Sequence, residues 1–414
     1  MSKIRFILFL AISITIISAI IWGVGGSDIR GLSLKNTVFY LSVLILIVVN
    51  LSERDLLIKK IPSFFPLSLF FLIGASSLLY AGLFSDGVKL DRLESLVEFK
   101  AKLLDPIFLY IAGAIIFRSA RQSSSALRLL VAIFSLLNIV ALLSFFSGIN
   151  FLGRDVLSHS GQRFSSFGPI ANQGAYALAF LAPIIYYFLN RTNSIVIKAF
   201  YLTMVLSCLS GIMLTGSRGA YLLVPLQVIG ISMLTKNVRL LIFSILGGFV
   251  VFGFILASNS SFLINVLNRM SIFQAANLRE VSSGRTMIWG GILEYMYNEP
   301  LAIVTGVGWG TYRAHIRGVL GSSPAAHNYY LKIWLELGTV GLGILITGIY
   351  VYIYKFAKLV RKPNPLFFQC AACAYFALFW NTMLASLESF LLYYAWFSGL
   401  ITNYAINLSD KETI

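Results

Sequence analysis

Residues 4–24 read IRFILFLAISITIISAIIWGV. After Arg5 this run carries no charge, and it is long enough to cross a bilayer core, which takes about 20 helical residues. It follows Lys3, exceeds the apolar core of a signal peptide and ends without a clear cleavage site, so the sequence predicts a retained helix. Runs of the same kind recur at about 34–51, 64–84, 104–118, 127–147, 170–189, 195–215, 219–234, 239–257, 328–354, 366–386 and 389–407. The expected fold is an all-α polytopic membrane protein of about twelve transmembrane helices, with one long, partly helical outward loop before the tenth. Three parts follow: residues 1–257 with spans one to nine, the loop 258–327, and 328–414 with the last three spans and a short inward tail.

The composition agrees. Of 414 residues 58% are hydrophobic and 12% charged, and the mean hydropathy of +0.84 lies far outside the soluble range. The net charge of +16 suits anionic headgroups. The basic residues are scattered among the spans, which argues against nucleic acid as a partner. Basic residues are nearly equal in number inside and outside, so their clustering decides orientation. With the N-terminus inside, tight basic turns such as Arg54–Lys60 and Lys355–Lys362 face inward, and the longer segments 85–103 and 258–327 face outward. Cys208, Cys370 and Cys373 all fall inside spans. Cys370-Ala-Ala-Cys373 has redox-motif spacing but no nearby His or second Cys pair, so packing is the expected role. Segment 85–103 places Leu90, Leu93, Leu96 and Val97 on one helical face and reads as an amphipathic helix on the outer interface.

The loop 258–327 contains no Lys. It carries Arg269, Arg279, Arg285, Arg313 and Arg317, with His315 and His327 and, as acids, Glu280, Glu294 and Glu299. Arg presents a planar fork of donors that matches phosphate oxygens in pairs, whereas Lys is a hydrated point charge. The loop therefore reads as built to hold an anion, with phosphate the best match. Its helical patterns run from Arg285 to Tyr297, with Ile288, Ile292 and Tyr295 facing the bundle, and around Tyr312–Val319, with Arg313 and Arg317 on one face.

Several residues could carry chemistry. Arg218, in Gly216-Ser217-Arg218-Gly219-Ala220, lies in an outward turn between spans. Snorkelling to headgroups and ligation of phosphate are both open to it. Arg163 opens the run to Asn172 and Gln173, which is either a turn and helix cap or the wall of a polar cavity. Gly306-Val-Gly308-Trp-Gly310 lacks the βαβ context of a dinucleotide loop. His327-Asn328 closes the Arg loop at the head of a span, where a neutral imidazole could take a proton from a hydroxyl. His315 is a weaker base because Arg313 and Arg317 flank it, Glu388 is an alternative base, and Glu336 is expected to pair with Lys332 one turn away. The outward acids form no tight carboxylate pair, so neither a metal site nor two-carboxylate glycosidase chemistry is expected, and there is no serine nucleophile elbow. No cofactor is expected. An outward Arg site with one base suits transfer of a sugar from a lipid diphosphate to a hydroxyl, because guanidinium groups neutralise the leaving diphosphate.

His327-Asn328, nine residues and Gly338-x-x-Gly341 resemble the signature of the bacterial O-antigen ligase and polysaccharide polymerase superfamily. Ser217-Arg218-Gly219-Ala220, Ser282-Ser-Gly284-Arg285 followed by Trp289, Gly306-x-Gly308-x-Gly310 and Arg163…Gly168…Asn172 are similar to it as well. Arg279…Gly290 and Arg163…Gly174 share a spacing like that of polymerase members. The resemblance implies a multi-pass inner-membrane enzyme that transfers an undecaprenyl-diphosphate-linked glycan on the periplasmic face without metal. The acceptor would be a lipid A core (ligase) or a second lipid-linked repeat unit (polymerase), with a slight lean to ligase. It implies His327 as the catalytic base and Arg218 and Arg285 as diphosphate ligands, with Arg279 and Arg163 in support. Asn172, Gln173, Arg313, His315, Arg317 and Asn328 are further candidates for the substrate cavity. A flippase or transporter of lipid-linked glycans is the competing class, but no inverted repeat or matching pair of broken helices favours it. A non-catalytic scaffold leaves His327 unexplained.

Overall fold

The computed structural model describes residues 2–22, 34–51, 60–84, 92–152, 155–157, 163–168, 170–238, 242, 284–322, 324–384 and 390–410. Its helices are α1 (Ser2–Trp22), α2 (Leu34–Leu51), α3 (Phe64–Phe84), α4 (Arg92–Phe99), α5 (Asp105–Ile115), α6 (Ala120–Ser147), α7 (Ala171–Arg191), α8 (Ile195–Leu214) and α9 (Arg218–Thr235). The later ones are α10 (Arg285–Asn298), α11 (Pro300–Thr305), α12 (Tyr312–Leu320), α13 (Tyr329–Val360), α14 (Pro365–Leu384) and α15 (Leu391–Ser409). Among the described residues no strand forms. The expected ninth span, apart from residue 242, lies outside the described residues, as do Arg269, Arg279, Glu280 and Glu388.

Seven of these helices are long and apolar enough to cross a membrane: α1, α3, α6, α8, α9, α13 and α14. The others that sequence reading placed as spans differ for physical reasons. α2 has a shorter apolar stretch, Asn36–Asn50. α7 and α15 are long but less apolar, and almost their whole length is buried against protein. There polar side chains are satisfied internally: Asn403 donates to Ala114 O and Phe117 O at 2.7 and 3.0 Å, and Asn407 donates to Phe117 O at 3.1 Å. α5 and α15 cross closely at Gly113 and Gly399, where a Cβ on Gly113 would sit 2.9 Å from the Gly399 Cα. Interlocked rings of Phe134, Phe167, Phe180, Tyr393 and Phe397 fill the centre. Cys208, Cys370 and Cys373 are buried and free.

The expected interfacial helix and the fourth span are one continuous rod. α4 runs through a π-helical turn, Lys100–Leu104, straight into α5 with helical dihedrals at both joins. No Gly or Pro interrupts it before Pro106, which sits in the first turn of α5 where a missing N–H costs little. Ion pairs lace the rod, Lys102 to Glu98 at 2.7 Å and Lys100 to Asp105 at 2.9 Å.

The described part of the Arg loop has a core of its own. Ile288, Ile292 and Met296 of α10 pack with Tyr312 and Ile316 of α12 and with Ala326 and Leu335. Ile288 and Ile292 thus face inward as expected, and Tyr295 packs on the same core while its hydroxyl hydrogen-bonds with His315. This small core docks α10–α12 onto the head of α13.

Candidate active site

Arg163 bridges the start of α7 and the end of α8. Its Nε donates to Thr215 O at 2.8 Å and an Nη to Asn172 Oδ1 at 2.5 Å. Thr215 caps the end of α8, and after Gly216 and Ser217 the chain enters α9 with Arg218 as its first residue. The guanidinium thereby ties the start of α7 to the turn that carries Arg218. Tyr176, nearly two turns into α7 and 1% exposed, bonds through its hydroxyl to the Ser217 side chain and lies within electrostatic reach of both Arg285 and Arg163. Gly219 makes this approach possible, since a Cβ there would overlap the Tyr176 hydroxyl.

Arg285 reaches the same place from the loop as the first residue of α10, following Gly284 in the left-handed conformation at φ 81°. Burial pulls its pKa below the ordinary guanidinium value and the nearby Tyr176 opposes that shift. Among the described residues no carboxylate pairs with Arg285. Two guanidinium groups from distant parts of the chain therefore lie near one phenol, beside the turn that leads into Arg218.

The His327 turn is built separately and tied to this cluster. His327 has φ +50°, a left-handed conformation that costs a non-glycine residue on the order of 1–3 kcal/mol. Its neighbours are pinned on both sides. Tyr312 Oη donates to Pro324 O at 3.0 Å, Trp289 Nε1 to Ala326 O at 3.0 Å, and Asn328 Oδ1 caps α13 by accepting from Leu331 N at 3.0 Å. Asn328 thus acts as a helix cap. Trp289 lies one turn after Arg285, so about 6 Å of helical rise separates Arg285 from the anchor of the His327 turn. The end of α14 links them again: Trp380 Nε1 donates to Gly219 O at 3.1 Å, and Thr382 Oγ1 to Tyr330 Oη at 3.0 Å.

The glycine motifs prove to be joinery. α13 breaks at Gly338 (φ 65°, ψ −172°), and the carbonyls freed by the break accept from the loop, Val307 N to Leu335 O at 2.9 Å and Gly308 N to Glu336 O at 3.0 Å. Gly306 and Gly338 meet backbone to backbone, and a Cβ on either would come within 2.6 Å of the other's nitrogen. The loop therefore sits on α13 with no side chain between them, and the Gly-x-Gly-x-Gly run needs no phosphate to explain it.

Residues 202–346 match the family model described as O-antigen ligase. Over that stretch the chain is similar to O-antigen ligases. The matched stretch contains Arg218, Arg285, Trp289, the loop glycines, His327 and Gly338, and Arg163 precedes it. No curated protein matches the chain. That similarity and the seven long apolar helices are in keeping with a multi-pass membrane protein.

Other sequence candidates go elsewhere. Arg313 makes an exposed pair with Glu94 of α4 at 3.7 Å, and Arg317 is exposed on the same helix. His315 shares a hydrogen bond of 2.9 Å with Tyr295 Oη. Its pKa is lowered, as expected, but by burial rather than by flanking arginines, and Glu299 opposes the shift. Gln173 is buried at the start of α7. Glu336 pairs with Lys332 at 3.8 Å as expected, yet the closer partner of Lys332 is Glu98, 234 residues away. Burial alone would raise the Glu98 carboxyl, but Lys332 and Lys102 outweigh it and hold the pKa at about 2. Among the described residues no three of His, Cys, Asp and Glu gather to hold a metal.

Sequence reasoning missed Tyr176, Trp380 and Thr382. Tyr176 lies four residues after Asn172, one turn along the same face of α7, and that spacing was its only signal. Trp380-Asn381-Thr382, a polar run at the end of an apolar span, was the signal for the α14 clasp.

Proposed function

We propose that this protein transfers a glycan from an undecaprenyl diphosphate carrier to an acceptor hydroxyl at the periplasmic face of the inner membrane, as an O-antigen ligase acting on a lipid A core. The observation that carries the reading is the gathering of Arg163, Arg285 and the Ser217-Arg218 turn around Tyr176, clasped by α14 to the helix that begins beside His327. Residues 258–327 form the periplasmic loop in this reading, flanked by spans one to nine and ten to twelve.

Arg285 and Arg218 hold the diphosphate in pairs of charge-assisted bonds, with Arg163 behind them and Arg279 as a further ligand. The acceptor oxygen attacks the anomeric carbon from the face opposite the diphosphate. As the new C–O bond forms, the bond from that carbon to the phosphate oxygen breaks and its electron pair stays on the diphosphate. The hydroxyl proton passes to the His327 imidazole and then to water. One in-line displacement inverts the anomeric centre, and guanidinium groups placed where charge develops supply the stabilisation that a cation would otherwise give.

Purified protein in liposomes, given the lipid-linked glycan with chelator present, is expected to yield a single shifted product only when lipid A core is added. A product ladder from donor alone would make it a polymerase. Loss of product on chelation, or donor that only changes leaflet, would sink the transferase reading as stated. Arg285→Lys is expected to be nearly as damaging as Arg285→Ala, raising the donor KM by about tenfold or more because one ammonium cannot replace a bidentate fork. A Lys variant with unchanged donor KM would mean that charge alone suffices.

A further inference from the structure

The His327 turn is strained, and the groups that hold it are not equivalent. Asn328 caps α13 and would do so for any preceding residue. Tyr312 holds Pro324, three residues upstream. Trp289 alone combines two features: its indole N–H takes the carbonyl of Ala326, the peptide unit that leads directly into His327, and it rides on the helix whose first residue is Arg285. Ala326 is buried and packs in the same small core as Ile288 and Ile292, so this carbonyl has little access to water as a substitute partner. A bond there fixes the orientation of the peptide plane, and that plane sets φ of His327.

We infer that Trp289 is a positioning residue for His327: its indole N–H fixes the left-handed turn from which the imidazole meets the acceptor hydroxyl, at one helical turn from the anion ligand Arg285. This rests on the reading of His327 as the base. Trp289 touches neither donor nor acceptor in this scheme. A misplacement of about 1 Å in a catalytic group can cost about 10²-fold in rate, so loss of this single bond should appear in turnover and leave donor binding alone.

The test uses full-length protein in liposomes carrying Trp289→Phe, His327→Ala, or both. Phe keeps an aromatic ring in the core and removes only the donor and part of the ring. Trp289→Phe is expected to lower kcat by about 10- to 100-fold, with the donor KM and the binding of undecaprenyl diphosphate within about twofold of the parent. In the His327→Ala background the same change should lower the residual rate no further, because residues acting through one group are non-additive. An unchanged kcat would overturn the inference, and so would an equal loss in the His327→Ala background, which would mark a general structural role. If His327→Ala by itself transfers normally, the base assignment fails and the inference fails with it, an outcome visible from the single variant alone.

Discussion

His327→Ala is expected to slow glycosyl transfer by about 10²–10⁴-fold, the range usual for loss of a general acid–base group. Membrane insertion and binding of the donor diphosphate should persist. The separation follows from the construction of the site. The proposed anion ligands have anchors of their own: Arg163 is held by Thr215 and Asn172, and Arg285 stands on a helix packed through Ile288 and Ile292. Alanine tolerates the left-handed region no better than histidine, so the turn should keep its strain and its anchors. The measurement is single-turnover transfer beside equilibrium binding of undecaprenyl diphosphate. A normal rate with normal binding would remove His327 from the mechanism, and lost binding would mean that the turn supports the anion site after all.

How much of this could be read from the chain depends on the range of the interactions involved. α10 and α12 were legible almost to the residue because their signals are local. Gly284 opens one and Pro300 follows its end, while Gly321 in a left-handed turn closes the other. Arg163, Arg218, Arg285 and His327 were legible as residue types out of keeping with apolar surroundings. What was not legible lies in pairings across the sequence. Nothing local announces that Lys332 prefers Glu98 to the nearer Glu336, or that α7 and α15 are buried and so carry amides that a lipid-facing helix could not. α4 was legible as an amphipathic helix but not as the start of a rod, because its continuity rests on ion pairs with the π turn and on packing. The glycines were legible as a motif, yet their reason, a backbone-to-backbone joint between Gly306 and Gly338, requires two segments that the sequence holds 32 residues apart.

That joint gives the second large expected effect. Gly338→Ala should destabilise the protein by roughly 2–5 kcal/mol, about 1–2 from a side chain in the left-handed region and about 1–3 from overpacking. The overlap cannot be relieved by a rotamer change, because the atoms in the way are the Val304 carbonyl and the Gly306 nitrogen. Relief must come from moving α11, and with it the bonds from Val307 and Gly308 to the broken end of α13. α10 follows, since α10, α12 and the head of α13 share one small core, so Arg285 and Trp289 should lose their register with His327. Gly343→Ala in the same helix meets open space and is expected to be neutral or slightly stabilising, because alanine is the better helix former. Thermal inactivation of both variants in the same detergent, with transfer measured alongside, decides the matter. The Gly338 variant should inactivate many-fold faster and lose transfer, while the Gly343 variant follows the parent. Equal behaviour of the two would mean that the kink is held by contacts other than this joint, and that the loop does not owe its seat on α13 to the absence of two side chains.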